Sequence, residues 1–446
     1  MLRRFKPRLR TAGLAATLTL AAALGGGIAY ADEAKVQYLP LQTYRTGAYA
    51  SSGTPIWAGR LDYFTYLNET QGGINGVKLI WDECETNYEV EKGVECYERT
   101  KGGKDGSPTA AVFPNADHIS KALIERSAKD KIPVVTLAYG LTEAVDGSVF
   151  PYYFPAILSF YSEASSVVNF IADKVGGKDK LKGVKIATVY HDSPYGRETI
   201  APLELLAKTY GFENIQIPVP HPGADQTAQW AKVRELKPDW IFLRGWGVMT
   251  PVAIKTAAKT GFPVDHIIGG VWSTSEEDVR PAGAAGKGYL GLTPFPAGAN
   301  FPIHDKIKAE VIDKNKSDLR DPKSFGSVYY NSGLVEAILI TEAIRTAQGK
   351  FGARALNGEE TQWGLEHLNI TEERIKEIGA TGLFPPLKLG LHDHEGGGQA
   401  KVLQWDGAKW TAVSDWIHAD TDLLKPLILE KSAAYAKEKG ITPRTE

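Results

Sequence analysis

Cysteine and methionine are scarce in this chain, two of each in 446 residues. So few thiols exclude a thiolate metal cluster and a small scaffold held by many disulfides. Excess positive charge is missing too: 51 Lys and Arg face 53 Asp and Glu, a net charge of -2. That balance excludes the basic face a nucleic acid needs. Beyond residue 31 no apolar run is long enough to cross a membrane. The motifs H-E-x-x-H and G-x-S-x-G are absent, and Gly283 to Gly288 with Lys287 does not complete a phosphate loop. No catalytic centre and no cofactor are therefore expected.

The N-terminus has what the rest lacks. Arg3, Arg4, Lys6, Arg8 and Arg10 precede an apolar stretch from Ala12 to Ile28, and Ala29-Tyr30-Ala31 follows. A basic head, a short apolar middle and an A-x-A end predict a secretory signal peptide cut after Ala31. Gly25, Gly26 and Gly27 break the apolar stretch, which is short for a membrane anchor. Taking its five basic residues from 51 leaves 46 against 53 acidic, a net charge of -7 on the exported chain. Export to an oxidising compartment such as the periplasm predicts a bond between Cys84 and Cys96. Cys84 follows the strand-like Val77 to Trp81 and Cys96 lies in a polar helical stretch, so the bond would staple a loop to its own helix.

The 415 residues that remain exceed what one core usually serves, which predicts two lobes. Apolar strand-like runs alternate with amphipathic stretches: Lys35 to Leu41, then Ile56 to Thr70, and later Val134 to Ala138, Phe160 to Val175, Lys185 to Tyr190 and Trp240 to Leu243. That is the pattern of parallel βαβ units, an α/β chain. Asp192 stands where a helix N-cap is expected. Pro- and aromatic-rich Val149 to Pro155, Pro281 to Pro294 and Gly382 to Pro386 are candidate crossings between lobes. They predict a first lobe of residues 32–152 and 285–383 and a second of 153–284 and 384–446. Asp406-Gly407 predicts a hairpin turn near the end.

Several ordered motifs carry a resemblance over nearly all of this length. Gln71-Gly72-Gly73-Ile74-Asn75-Gly76-Val77 resembles a "QGGINGV" segment, and His191 to Gly196 resembles a "D-x-x-Y-G" turn. Gly223-Ala224-Asp225 resembles "G-x-x-D", and Tyr329-Tyr330-Asn331 resembles "Y-D-A". Together they resemble the leucine/isoleucine/valine-binding family of ABC-transporter solute receptors. The resemblance implies two Rossmann-like lobes joined by three crossing strands, the type I periplasmic-binding-protein fold. It also implies a monomer that closes on a small molecule and delivers it to a permease and ATPase in the membrane.

In open α/β sheets ligands sit outside the carboxyl ends of the strands. The strand-end loops nominate Tyr44, Arg45, Asn115, Ala138 and Tyr139 from the first lobe, and Tyr195, Arg244, Trp246 and Trp272 from the second, with Tyr329 from the returning segment. By resemblance, the loops at Asn115 and Tyr139 hold a ligand carboxylate, and Tyr195 and Trp246 are aromatic walls. Trp272 stands where amino-acid-binding members place an acidic residue, and a buried ammonium without a carboxylate is costly. Stacking faces, with Arg45 or Arg244 as a bidentate fork, point to an aromatic carboxylate. A branched-chain amino acid, an amide, or a role as the ligand-binding module of a signalling system is the alternative. His392-Asp393-His394-Glu395 has metal-type ligands, but neighbours on a strand point to opposite faces, so no metal site is expected.

Overall fold

The computed structural model describes residues 36–445. The expected signal peptide lies outside the described residues. No helix of the described residues is long and apolar enough to cross a membrane.

Two sheets organise the chain. The first begins at Val36–Tyr38, breaks at Leu39-Pro40 and resumes at Leu41–Thr43. Proline has no N–H to give to a ladder, which accounts for the break. The two pieces pair in parallel with Lys78–Ile80 and Glu83–Glu85. Single bridges from Tyr38 to Thr109, Leu41 to Phe113 and Val112 to Val134 carry the sheet across residues 109–113. Val134–Leu137 then pairs in parallel with Tyr153–Ala156.

The second sheet runs Glu213–Val219, Lys185–His191, Trp240–Arg244, Ile267–Gly269, Leu290–Thr293, Gln399–Trp405 and Trp410–Ala412. Its first five strands are parallel, and Gln399–Trp405 joins antiparallel. Ile186, Val189, Ile241, Phe242 and Leu243 are fully buried, as expected of parallel strands covered on both faces. In both sheets the first strand in sequence lies between the second and the third. That is the switch point at which a crevice opens beyond the carboxyl ends.

Strand pairing corrects two expected boundaries. Tyr153–Ala156 belongs to the first sheet, although residues from 153 onward were assigned to the second lobe. Leu290–Thr293 belongs to the second sheet, although 285–383 was assigned to the first. At these two boundaries the crossing therefore comes after the strand it was thought to precede.

Glycine sets two close approaches. The Ala50–Gln71 helix lies along the Val328–Phe351 helix. At the crossing a Cβ on Gly59 would stand 2.0 Å from the Tyr330 carbonyl oxygen, and one on Gly333 1.8 Å from that of Ile56. Gly73, at φ +98°, leaves room for 2.0 Å only between its own missing Cβ and the Val77 carbonyl, so the Gln71 to Val77 turn needs glycine there.

Cys84 and Cys96 are bonded, with Cα atoms 5.7 Å apart, and tie the Glu83–Glu85 strand to the Val90–Thr100 helix. Ser193, not Asp192, caps the Pro194–Arg197 turn, its side chain accepting from the Gly196 N–H. Asp192 accepts instead from Arg197 Nε at 2.8 Å. The hydroxyl one residue closer fits the short turn.

Candidate functional site

The carboxyl ends of the two sheets face one cavity. From the first sheet come Tyr44, Tyr88, Tyr139 and the run Asn115-Ala116-Asp117, and from the second Tyr195, Trp246 and Trp272. Each follows a strand, so the switch-point rule is what gathers them. The cavity measures about 30 Å3, room for about two waters. The six rings thus lie nearly in contact across it, with Trp246 edge-on to Trp272 at 5.7 Å between centroids and Tyr139 edge-on to Trp272 at 5.9 Å.

Backbone geometry at and just behind the wall is unusual. Tyr88, Asn115 and Ala138 have φ of +62°, +50° and +58°. A non-glycine residue in this left-handed region costs about 1–2 kcal/mol, so the surroundings must hold it. The Asn115 N–H donates to the Tyr139 hydroxyl at 2.8 Å, and the Tyr44 hydroxyl donates to the Asn115 carbonyl at 2.9 Å. The Trp272 indole N–H donates to the Ala138 carbonyl at 2.9 Å, joining the second sheet's loop to the first's. Ala138 therefore takes part through its carbonyl and is not a wall residue.

Both candidate arginines are spent elsewhere. Arg244 is fully buried, paired with Glu163, and donates to the Tyr195 carbonyl at 2.7 Å, its guanidinium lying 4.3 Å from the centroids of both Phe160 and Tyr195. Glu163 also accepts from the Val271 N–H at 2.7 Å. This pair fixes Tyr195 and the Trp272 loop and offers no fork to a ligand. Arg45 binds Glu83 at 2.9 Å and Asp318 at 2.6 Å, away from the cavity. The carboxylate fork expected of either residue is corrected accordingly. Tyr329 also stands outside the wall: its hydroxyl donates to Asp278, and its ring stacks behind Trp272 at 5.8 Å.

Three contributors escaped the sequence reading. Tyr88 supplies a ring between Tyr44 and Tyr49, at 4.9 and 4.4 Å. Arg60, fully buried, pairs with Glu336 and donates to Asn115 Oδ1 at 2.9 Å, orienting that side chain. Burial lowers its pKa to about 10, which leaves it charged at neutral pH. Among the described residues Asp117 is the one acidic residue on the wall. Its Oδ1 accepts from the Gly140 N–H at 3.0 Å and its Oδ2 lies 3.2 Å from Lys121 Nζ. Burial raises its pKa to about 6, against the pull of Lys121. Lys121 also reaches Glu198 at 2.8 Å. Among the described residues nothing with a positive charge lines the cavity.

Residues 37–409 match the family model of the periplasmic binding proteins. The chain belongs to that family. Its members are binding proteins. A crystal structure from the Pseudomonas fluorescens group, described as an ABC transporter permease, is 64% identical, covers 92% of this chain and 99% of its own, and superposes with a TM-score of 0.88. More distant structures share the fold. One is a branched chain amino acid ABC transporter from Thermus thermophilus with bound valine, at 19% identity, 87% and 98% coverage and a TM-score of 0.73. Another is a solute binding protein from R. palustris in complex with benzoate, at 16% identity, 86% and 98% coverage and a TM-score of 0.66. No curated protein matches the chain.

Among the described residues no group of three or more metal-type side chains could hold an ion. The His392 to Glu395 run is spent on structure. His394 stacks on Phe154 at 3.9 Å and meets Glu366 at 3.2 Å, and Glu395 accepts from the Ser159 N–H at 2.7 Å.

Proposed function

We propose that this binding protein is the solute receptor of an ABC importer, working as a monomer outside the cytoplasmic membrane, and that its cargo carries an aromatic ring. Six rings around one cleft carry this reading, and the rings must part to admit a cargo larger than the roughly two waters their cavity now holds. Each stacking or edge contact adds roughly 0.5–1.5 kcal/mol beyond burial. The N-terminal leader supports export, and the 64% identical relative, described as part of an ABC transporter, supports a permease and ATPase as partners. Two lobes divide along the sheets: residues 36–156 with the Val328–Phe351 return in one, and 160–293 with 399–418 in the other. Closure brings Trp272 to Ala138, and a cargo held by both lobes favours the closed form.

The acid half of an aromatic acid has less support than the ring. Among the described residues a carboxylate would meet only neutral donors on the wall, among them the Tyr139 hydroxyl and the Trp246 indole N–H, which has no partner. It would also lie beside Asp117, and an unpaired buried charge is costly. A neutral hydroxyl end suits this wall best. Asp117 favours a second reading, a ring bearing an amine.

A thermal-shift panel of benzyl alcohol, benzoate, benzylamine and leucine tests this. Benzyl alcohol is expected to stabilise the protein by about 2.7 kcal/mol at a hundred times its Kd. Greater stabilisation by benzylamine supports the second reading, greater stabilisation by benzoate restores the acid, and stabilisation by leucine alone overturns the aromatic cargo.

A further inference from the structure

The two sides of the cleft also meet beside the cavity. Asp117–Ala122, a short helix on the first sheet's side, packs against the Pro194–Arg197 turn on the second's. Glu198 follows that turn. Its Oε2 accepts from Lys121 Nζ at 2.8 Å, and its Oε1 accepts from the Thr142 N–H at 3.1 Å. Lys121 and Thr142 both precede the Tyr153–Ala156 strand of the first sheet, so one carboxylate from the second side is held by two donors of the first.

Lys121 is shared. Its Nζ also lies 3.2 Å from Asp117 Oδ2, one turn earlier on the same helix. The lysine therefore stands between two carboxylates, one on the cavity wall and one across the cleft. The side chains of Lys121, Asp117 and Glu198 are only 21%, 4% and 11% exposed, so water screens them less than it screens an ordinary surface pair. Contacts nearer the rings are single hydrogen bonds without an ion pair: the Tyr49 hydroxyl with His221 Nδ1 at 2.7 Å, and the Trp272 indole with the Ala138 carbonyl. Lys121 and Glu198 lie outside the cavity wall.

Opening the cleft would separate these groups unequally. Asp117 and Lys121 share a helix and stay together, whereas Glu198 loses both its donors. The closed form thus has two hydrogen bonds and an ion pair that the open form lacks, which is what biases such an equilibrium. We infer that Lys121 and Glu198 latch the cleft: Lys121, positioned by Asp117, takes hold of Glu198 as the lobes close and keeps them closed through contacts the cargo does not make. Both are positioning residues. The inference rests on the lobe division proposed above and is independent of which cargo the rings select.

Single-molecule energy transfer in the exported chain without cargo tests it, with dyes at K129C and K208C, exposed positions on the two sides. The readout is the dwell time of the closed form. E198Q keeps an acceptor for the Thr142 N–H and removes the charge. It is expected to shorten the closed dwell about tenfold, more than the loss of an exposed pair would and less than the breaking of a fully buried one. K121M should shorten it as well, and K121R, which keeps the charge, should retain the native dwell. W272A removes a different contact across the cleft and serves as the control. Native dwell times in E198Q and K121M, with a shorter one in W272A, overturn the latch and leave the lobe division standing. A K121R dwell as short as that of K121M overturns the charge pairing as its cause. One unchanging distance in the native chain and every variant overturns both latch and lobes.

Discussion

Replacing Arg244 by methionine separates two accounts of this residue. If the guanidinium met a cargo carboxylate, R244M would fold normally and lose affinity. The structure instead buries it against Glu163, with both side chains almost fully excluded from solvent. Removing one partner leaves an uncompensated buried charge, which costs about 3–5 kcal/mol. Burial already raises the Glu163 pKa, countered first by Arg244, so removing the arginine pushes it higher still. The E163Q/R244M double variant removes both charges and is expected to recover most of the loss, since apolar replacement of a whole buried pair is often neutral. Urea unfolding of native, single and double variants without cargo gives the cycle. An R244M chain as stable as native, with binding of benzoate abolished, would refute the reasoning.

Three further outcomes follow from particular contacts. G333A drives a Cβ to 1.8 Å from the Ile56 carbonyl, and the helices must separate, so its urea midpoint should fall with a loss of about 1–3 kcal/mol. Reducing the Cys84–Cys96 bond, across a sequence separation of 12, should cost about 3 kcal/mol, read as a drop in Tm with dithiothreitol that C84A/C96A no longer shows. Asp117 has a folded pKa near 6, above its ordinary 3.8, so the folded state binds the extra proton between those values. Its share of stability therefore rises as pH falls from about 7 to 4, by about 1.4 kcal/mol per unit within that window, and urea midpoints against pH should show a shallower slope in D117N.

Strand-end logic made much of the wall legible. Tyr44, Tyr139, Tyr195, Trp246 and Trp272 each follow an apolar run that reads as a buried strand, and the switch-point rule gathers such ends. The arginines were illegible because their partners lie far along the chain: Glu163 is 81 residues from Arg244 and Asp318 is 273 from Arg45. Tyr88 follows a strand of three residues in which only Cys84 is buried, too short a run to register as a strand. Asp117 reads in sequence as a helix-start acid, and only the fold shows that it also lines a cavity. The Thr421–Lys439 helix went unread because its buried face is thin, Leu424, Ile428, Ser432 and Ala436, with Pro426 inside it. The lobe boundaries slipped because a proline-rich segment marks a crossing without saying which sheet takes the strand beside it.

The claim that the rings select the cargo is tested most directly at Trp246. Calorimetric titration of native and W246A chains with benzyl alcohol, alongside leucine, is the measurement. Losing one ring from the wall removes its stacking and its buried area, and 1.4 kcal/mol is already tenfold in Kd. The account expects native binding of the aromatic compound, at least tenfold weaker binding by W246A, and no heat with leucine. Tight binding of leucine, with W246A unchanged towards benzyl alcohol, would contradict it.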